Sequence, residues 1–400
     1  MIKDMAFKTY FYSIIASLVS VTAVAQIPAP GASVVVEFNA RKITHVQTRG
    51  LSDPRTLRAV TADDPVRIAS ISKLVVALGV MRMVDAGRLD LDRDVSEMLG
   101  WRLRNPAFPQ TPITLRLLLS HRSSLTDGIN YYALPLDTRL QDAVADPKAW
   151  DSAHPPGHYF RYTNLNFPVI ASVIEAVSGT RFDKEIARLV LRPLKLSGCF
   201  NWTICSDATV ARAVVLTDGA GAIRRDDLQG KRPACPVVAA TDGRCDLSHY
   251  VPGTNGALFS PQGGLRISAL DLAKIGQMMM RRGRGFLSPA AFKTFATPAW
   301  QFDGSNGDTE GGFWCRYAIG VQSIATKADG CNDDPFGDGR MRIGHPGEAY
   351  GLRSGLWVDL VSGKGTAYFT TAIADDAPKG RSAFTAAEEA LVQAQAQVHK

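Results

Sequence analysis

The sequence predicts an α/β (α+β) fold in which both chain ends build one layer and a mostly helical segment is inserted between them. Alternating apolar and β-branched residues predict strands near both ends, at residues 34–39, 43–47, 319–324, 352–360 and 366–373. A long apolar helix follows the first two strands, and an alanine- and glutamine-rich helix over residues 383–398 follows the last. The two ends are therefore expected to pack together, with roughly residues 88–250 as the insertion.

Capping residues mark the ends of the predicted helices. Thr114 and Ser268 are good N-caps for the helices that follow them, because their hydroxyls can accept from unpaired backbone N–H groups. Gly87, Gly179 and Gly283 follow three helical patterns and can adopt the left-handed conformation that ends a helix.

Two stretches of the chain show little periodicity. Residues 122–160 are therefore expected to be a long loop region, of the kind that often carries function. Its part over residues 125–159 and the cysteine-rich segment 198–256 are expected to frame a binding pocket. Between them, a helical pattern over residues 182–191 ends before Pro193.

The start of the chain resembles a secretion signal. Lys3 and Lys8 precede an apolar run over residues 10–21, which is too short to span a bilayer securely. The small residues Ala23-Val24-Ala25 form a cleavage site, so residues 1–25 are expected to be a signal peptide and Gln26 the mature N-terminus. The sequence thus predicts a periplasmic or secreted protein without a stable membrane anchor.

Residues 26–400 are expected to form one domain. Of the chain's 400 residues, 46% are hydrophobic and 21% charged, a balance that supports a sizeable core. The formal net charge is +7, but the basic residues are spread along the sequence. Because neither a basic cluster nor a recognisable module is present, no nucleic-acid partner is expected. The oligomeric state stays open.

Six cysteines follow the predicted signal peptide: Cys199, Cys205, Cys235, Cys245, Cys315 and Cys331. Their even number and the exported context predict disulfides. Neighbours in sequence are close, so the predicted pairs are Cys199–Cys205, Cys235–Cys245 and Cys315–Cys331. A metal site is the alternative, but no C-x-x-C spacing occurs and only His249 lies near these cysteines.

The first chemical motif is Ser70-x-x-Lys73, at the start of the long apolar helix. Residues three apart lie on one helical face, about 5–6 Å apart at Cβ. A serine hydroxyl becomes a good nucleophile when a base takes its proton, and a desolvated lysine can lose enough pKa to help. The alternative reading is an ordinary helix start with a solvated lysine.

Two further motifs bear on this interpretation. Tyr162-Thr163-Asn164 precedes a helix, and lysine neighbours can lower the pKa of a tyrosine phenol so that it acts as a base or as an acid. Residues 344–348, Gly-His-Pro-Gly-Glu, read as a turn before the late strands, where glycine lets the backbone approach a ligand and an N–H can bind an oxyanion.

In this order and at these separations, the three motifs resemble those of the serine β-lactamase and penicillin-binding-protein superfamily. The nearest branch holds class C β-lactamases, D,D-carboxypeptidases, D-aminopeptidases and related esterases. Three supporting stretches are similar to family motifs: residues 67–73 (R-I-A-S-I-S-K), 117–125 (L-L-L-S-H-R-S-S-L) and 263–273 (G-G-L through D-L-A). The resemblance covers roughly residues 33–398 and implies an antiparallel sheet flanked by helices, the β-lactamase/transpeptidase-like fold.

The resemblance also implies roles. Ser70 would be the nucleophile that forms an acyl-enzyme, with Lys73 and Tyr162 handling its proton. Asn164 would position the substrate, and the N–H groups of Ser70 and Glu348 would form the oxyanion hole. No metal or organic cofactor is implied, and the partner is a small ester, amide or peptide.

The third motif departs from the β-lactamase pattern Lys-Thr/Ser-Gly. Here His345 and Pro346 precede Gly347, so the cation and hydroxyl that help hold a substrate carboxylate are missing. His-x-Gly occurs in the peptidase and esterase branches, which favours an esterase or a D-amino-acid peptidase. Arg353 could supply the missing contact, or it could be a surface residue.

Two alternatives remain, and a third is excluded. A class C-like β-lactamase or D,D-carboxypeptidase would use the same acyl-enzyme chemistry. A non-turnover sensor of β-lactams or muropeptides would acylate and stay acylated. An α/β-hydrolase would need G-x-S-x-G, which is absent from the sequence.

Overall fold

The computed structural model describes residues 31–398, and the predicted signal peptide and its cleavage site lie outside them. Fifteen strands are formed within these residues: β1 (Ser33–Asn39), β2 (Ile43–Arg49), β3 (Leu51–Asp53), β4 (Arg58–Ala59), β5 (Val66–Arg67), β6 (Cys199–Phe200), β7 (Leu216–Thr217), β8 (Ile223–Arg225), β9 (Leu265–Ile267), β10 (Trp300–Gln301), β11 (Arg316–Tyr317), β12 (Gln322–Ile324), β13 (Arg342–Ala349), β14 (Leu352–Asp359) and β15 (Lys364–Thr370).

The same residues form ten α-helices: α1 (Ile71–Asp85), α2 (Val95–Leu99), α3 (Leu115–Leu119), α4 (Leu140–Ala143), α5 (Asn166–Ser178), α6 (Phe182–Ile186), α7 (Asp207–Val210), α8 (Ala269–Met280), α9 (Pro289–Ala296) and α10 (Ala386–Val398). The predicted caps are used: the Thr114 hydroxyl accepts from the Leu117 N–H, and the Ser268 hydroxyl accepts from the Asp271 N–H. Gly179 is left-handed at φ 67°.

Both chain ends build the main sheet, as predicted. Its eight antiparallel strands run in the order β10-β11-β12-β13-β14-β15-β1-β2, so the N-terminal pair closes onto the last strand. Consecutive side chains of β1 enter different cores: Val34 and Val36 face the larger core, whereas Val35 packs with Phe384 and Val392 near α10. Helices therefore cover both faces of the sheet.

Between α1 and β9 the chain consists mainly of short helices and loops, with α5 as the longest element. The predicted helix over residues 182–191 is α6 continued by a π-helical turn, Ala187–Leu191. The three disulfides pair as the spacing predicts, Cys199–Cys205, Cys235–Cys245 and Cys315–Cys331. Disulfides of this kind are typical of proteins that fold outside the reducing cytoplasm.

The interpretation of residues 344–348 as a turn is wrong. Residues 344–348 are part of the eight-residue strand β13, not a turn. Only Arg342, Ile343 and Gly344 of this strand pair with β12, whereas pairing with β14 continues as far as Ala349. From His345 onward β13 therefore has no partner on its β12 side, and this open edge accommodates Pro346, which cannot donate a hydrogen bond to a neighbouring strand.

No helix within residues 31–398 combines the length and the apolar character needed to cross a membrane.

Candidate active site

Ser70 lies at the N-cap of α1, directly before the first helical residue. The preceding Ala69 is left-handed (φ 48°), a strained conformation for a residue with a side chain. Within the described residues, the Ser70 N–H donates to no other group, because the first turn of a helix has no internal acceptors for it. Ser70 therefore offers both a hydroxyl and a free backbone donor at the same point.

Lys73 is fully buried on the same face of α1. Its Nζ atom lies 2.9 Å from the Ser70 Oγ, 2.8 Å from the Asn164 Oδ1 and 2.9 Å from the Gln262 carbonyl oxygen. The last two atoms can only accept hydrogen bonds. In a neutral amine, two N–H groups can serve these acceptors, which leaves the nitrogen lone pair for the Ser70 hydroxyl.

Burial favours the neutral form of the Lys73 amine. Loss of hydration lowers the pKa of Lys73 to about 7, and the Asp127 carboxylate acts in the opposite direction. The aromatic rings of Tyr162 and Phe167, whose centroids lie 4.9 Å and 5.4 Å from Nζ, form the apolar wall that excludes water. Near neutral pH a large share of Lys73 can thus accept the Ser70 proton.

Asp127 holds Asn164 in the required orientation, and sequence reasoning missed it. Its carboxylate accepts from the Asn164 N–H at 3.0 Å, the Asn164 Nδ2 at 2.9 Å and the Leu165 N–H at 2.9 Å. Because a carboxylate only accepts, the Asn164 amide nitrogen must face Asp127 and its oxygen must face Lys73. No motif marks Asp127, which lies in the long loop predicted to frame the pocket.

We expect Asp127→Asn to lower kcat/KM by about 10–100-fold, because an amide cannot accept all three N–H groups and the Asn164 oxygen loses its fixed orientation. Removal of the negative charge should also shift the lower apparent pKa of the kcat/KM–pH profile downward, since Asp127 raises the pKa of Lys73. The exposed helix cap Asp146 supplies a matched control, Asp146→Asn. An unchanged profile in Asp127→Asn would contradict the positioning role.

Tyr162 reaches the same site from the turn before α5. Its ring is stacked between Trp314, at 4.2 Å between centroids, and His121, at 4.4 Å. The phenol oxygen is buried and forms no direct hydrogen bond within the described residues. Burial raises the pKa of Tyr162 well above its ordinary value. The expected lowering by lysine is therefore wrong, and Tyr162 is a neutral phenol, suited to donate a proton.

The open edge of β13 supplies the opposite wall. Ala349 and Leu352 flank a two-residue hairpin loop, so they form a hydrogen-bonded pair at the end of the β13–β14 ladder. Pro346, three residues earlier, has no N–H to donate. Because hydrogen-bonded and non-hydrogen-bonded pairs alternate in an antiparallel ladder, the Glu348 N–H points away from β14, as the Pro346 nitrogen does. It therefore faces the side where β12 has ended, which is the side of the pocket.

His345 lies next to these residues, but its ring is not part of the pocket wall. It is fully buried, with Nε2 at 2.7 Å from the Tyr317 hydroxyl and Nδ1 at 2.6 Å from the Pro346 carbonyl oxygen. Burial and the charge of Lys73 lower the pKa of His345 to about 3, so the ring is neutral. His345 thus supports Tyr317 and β13 and offers no cation to a substrate.

Gly347 permits β13 to approach the segment before Ser70. A Cβ atom at this position would lie closer than 3.0 Å to both the Ile68 carbonyl oxygen and the Ser354 Oγ. These two atoms are themselves hydrogen-bonded at 3.0 Å. There is consequently no space for any side chain between β13 and this segment.

Gly347→Ala is expected to lower the free energy of unfolding by about 1–3 kcal/mol and to reduce activity, because β13 must move away from Ile68. Denaturant unfolding and ester hydrolysis measure the two effects. Gly263→Ala is the matched control, since its Cβ would meet only Ala69, at an ordinary distance of 3.7 Å. If the two variants had equal free energies of unfolding and equal activities, the close approach of β13 to Ile68 would be unimportant for both properties.

Ser70, Tyr162 and Asn164 line one pocket of about 340 Å³. Its other walls come from the Glu310–Trp314 segment and from Lys379, Thr385 and Glu388, which sequence reasoning missed. The segment over residues 198–256, which was expected to frame the pocket, contributes nothing to its lining. Besides Tyr162, the lining holds the apolar side chains of Phe313, Trp314 and Pro346, the carboxyl groups of Asp127, Glu310, Glu348 and Glu388, and the cations of Arg353 and Lys379.

Arg353 is a buried residue of β14 rather than a surface residue. Its Nη2 lies 2.8 Å from the Glu348 Oε1. The guanidinium is therefore already paired with a carboxylate of the protein and is not free to bind a substrate carboxylate. Lys379 carries the other positive charge of the pocket and has no carboxylate partner within the described residues.

The β-lactamase family model matches residues 21–390 of this chain. Among curated proteins, Esterase EstB of Burkholderia gladioli is 28% identical over 176 residues, which are 40% of this chain and 44% of that protein. The chain thus matches less than half the length of such relatives.

Solved structures share the fold across most of the chain. D-amino acid amidase from Ochrobactrum anthropi SV3, complexed with D-phenylalanine, superposes with a TM-score of 0.64 at 19% identity and covers 93% of this chain and 94% of that chain. The octameric penicillin-binding protein homologue from Pyrococcus abyssi superposes with a TM-score of 0.65 at 20% identity, over 93% of this chain and 74% of that chain.

Proposed function

Because the chain belongs to the β-lactamase family of serine hydrolases, we propose that it cleaves an ester or an amide through an acyl-enzyme formed on Ser70. The observation that carries this proposal is the 2.9 Å contact between the Ser70 Oγ and the Nζ of a buried lysine. Lys73 takes the hydroxyl proton as Oγ bonds to the substrate carbonyl carbon. The N–H groups of Ser70 and Glu348 stabilise the oxyanion.

The second half of the reaction releases both products. Tyr162 gives a proton to the leaving oxygen or nitrogen as its bond to carbon breaks, and Lys73 returns the proton to Tyr162. Water then attacks the acyl carbon, Lys73 accepts one of its protons, and the Ser70 oxygen leaves and is reprotonated. The products are a carboxylic acid and an alcohol or amine, so the reaction needs no further reagent.

The lining of the pocket favours an esterase or a D-amino-acid peptidase. A neutral His345 and Pro346 provide neither charge nor hydroxyl for a substrate carboxylate, and Arg353 is paired with Glu348. The excess of carboxylates favours substrates that are neutral or carry an ammonium group. Lys379 is the specific observation that favours the alternative, a class C-like β-lactamase or D,D-carboxypeptidase.

Three probes test this function: p-nitrophenyl butyrate, the amides of D- and L-phenylalanine, and benzylpenicillin, with the intact mass of the protein followed in each reaction. We expect turnover of the ester or of the D-amide and slow or no loss of the penicillin. Rapid drug loss would establish the β-lactamase alternative. A lasting adduct without turnover of any probe would establish the sensor. Absence of both adduct and turnover would reject the acyl-enzyme.

Export is the second part of the proposal. The three disulfides fit a protein that folds outside the cytoplasm. We place it in the periplasm or the extracellular medium, with residues 1–25 as a cleaved signal peptide and 26–400 as one domain that includes the insertion over roughly 88–250. N-terminal sequencing of the exported protein is expected to begin at Gln26, and retention of residues 1–25 would contradict this.

A further inference from the structure

A second cavity, of about 640 Å³, lies between the C-terminal end of α8 and the start of α9. Four cations line it, Arg281, Arg282, Arg284 and Lys293, and all four are exposed. No carboxylate belongs to its lining as the described residues form it. We call this cavity the basic groove.

The basic groove continues into the neighbouring strand ends. Arg281 donates to the Ala40 carbonyl oxygen at 2.8 Å, which fixes it against the β1–β2 turn with the exposed Arg41 and Lys42. Asn39, the last residue of β1 before this turn, pairs with Lys364 at the start of β15. Three further cations thus extend the groove into one surface.

These seven cations lack acidic partners. Within residues 31–398 none of them lies within 4.0 Å of a carboxylate oxygen, although most other arginines of the chain form such ion pairs. The formal net charge of the whole chain is +7, so one surface holds as much positive charge as the chain has in excess. The cluster is not apparent from the sequence because its members come from four separate segments.

Apolar residues accompany the charges. Leu287 and Phe292 form the floor of the groove, and Leu360 forms part of its rim. The next residue, Val361, occupies the tip of the β14–β15 turn and is 93% exposed. An exposed aliphatic side chain beside unpaired cations is the combination that inserts between the headgroups of an anionic bilayer.

We propose that this surface docks the protein on an anionic phospholipid membrane. The cations bind the lipid phosphates, and Val361 enters the boundary between headgroups and acyl chains. A soluble polyanion would neutralise the cations but would leave the Val361 side chain exposed to water. A bilayer binds the cations and also buries Val361, so it is the occupant that the surface fits best.

Docking leaves the Ser70 pocket open to water. The backbone N–H of Ser288, beside the groove, donates to Asp85, the last residue of α1. Ser70 lies at the other end of this helix, directly before its first residue. The 15 residues of α1 separate the two by about 22 Å at a rise of about 1.5 Å per residue. The pocket therefore lies well away from the docking surface, so docking does not cover it.

Vesicle co-sedimentation of the whole protein tests the proposal. Vesicles of phosphatidylcholine alone are compared with vesicles containing about 30% phosphatidylglycerol, at low and high salt. Near an anionic bilayer each basic residue contributes roughly a fivefold factor in binding. The triple variant Arg282→Glu, Arg284→Glu, Lys293→Glu should therefore bind at least about 100-fold more weakly, and Val361→Asp should also weaken binding. Ester hydrolysis in solution should stay unchanged in both.

A matched triple variant controls for net charge. Lys148, Lys184 and Lys231 are exposed and have no carboxylate partner in the described chain, and their replacement by glutamate changes the net charge equally. Equal loss of binding in the two triple variants would overturn the proposal, as would binding independent of phosphatidylglycerol. Retention of full binding by Val361→Asp would show that the cations alone hold the vesicles and would overturn the insertion of Val361.

Discussion

Ser70→Ala is expected to lower kcat for ester hydrolysis by at least about 10³-fold, because no other group of the pocket replaces the nucleophile. The stability of the protein should hardly change. The Ser70 side chain makes no capping hydrogen bond to α1, and its contact with Lys73 is replaceable by water from the pocket. Initial rates with p-nitrophenyl butyrate and thermal unfolding measure the two quantities.

Ser72→Ala gives the opposite pattern and serves as the control. The Ser72 hydroxyl is buried and accepts from the Leu265 N–H at 3.1 Å, so its loss leaves a buried donor unpaired. We expect about 1–3 kcal/mol of lost stability with normal chemistry in the molecules that remain folded. Full activity of Ser70→Ala would remove Ser70 from the mechanism.

Lys73→Arg is expected to lower kcat/KM by about 10²–10⁴-fold at every pH, since a guanidinium stays protonated and cannot serve as a base. In the wild type, kcat/KM should rise as pH increases through about 7 and then level off, because the neutral form of Lys73 is the active one. The comparison of the two pH–rate profiles is the measurement. Lys184→Arg, on an exposed face of α6, should reproduce the wild-type profile; recovery of Lys73→Arg at high pH would contradict the assignment.

The same titration has a consequence for stability. The pKa of Lys73 is about 7 in the folded protein, against 10.5 ordinarily, so between these values only the unfolded chain binds the proton. The free energy of unfolding of the wild type should therefore rise with pH in this window by up to about 1.4 kcal/mol per pH unit relative to Lys73→Met. Denaturant titrations at pH 7, 8 and 9 measure this slope, and parallel curves would show that Lys73 is charged in the fold.

Local signals explain what the sequence could predict. Thr114, Ser268 and Gly179 act within one helical turn, so the helix boundaries next to them follow from residue type alone. The spacing of Ser70 and Lys73 likewise determines that they share one helical face. Cysteines close in sequence pair because few residues separate them.

The remaining features depend on contacts between distant segments. Strand β13 contains two glycines and a proline, which disfavour a strand, and it forms because β14 is buried beside it while β12 stops early. The high pKa of Tyr162 and the low pKa of His345 both follow from burial in an aromatic cluster, which no local pattern reveals. Asp127 gains its role only when its loop folds against the start of α5.

The order of the cysteines along the chain simplifies oxidative folding. Each disulfide joins a cysteine to the next one in sequence, with separations of 6, 10 and 16 residues. A chain that emerges with its N-terminus first presents the partner of each unpaired cysteine before any competing thiol appears. Oxidation of each cysteine with the next one to emerge therefore gives the native pairing without any exchange between disulfides.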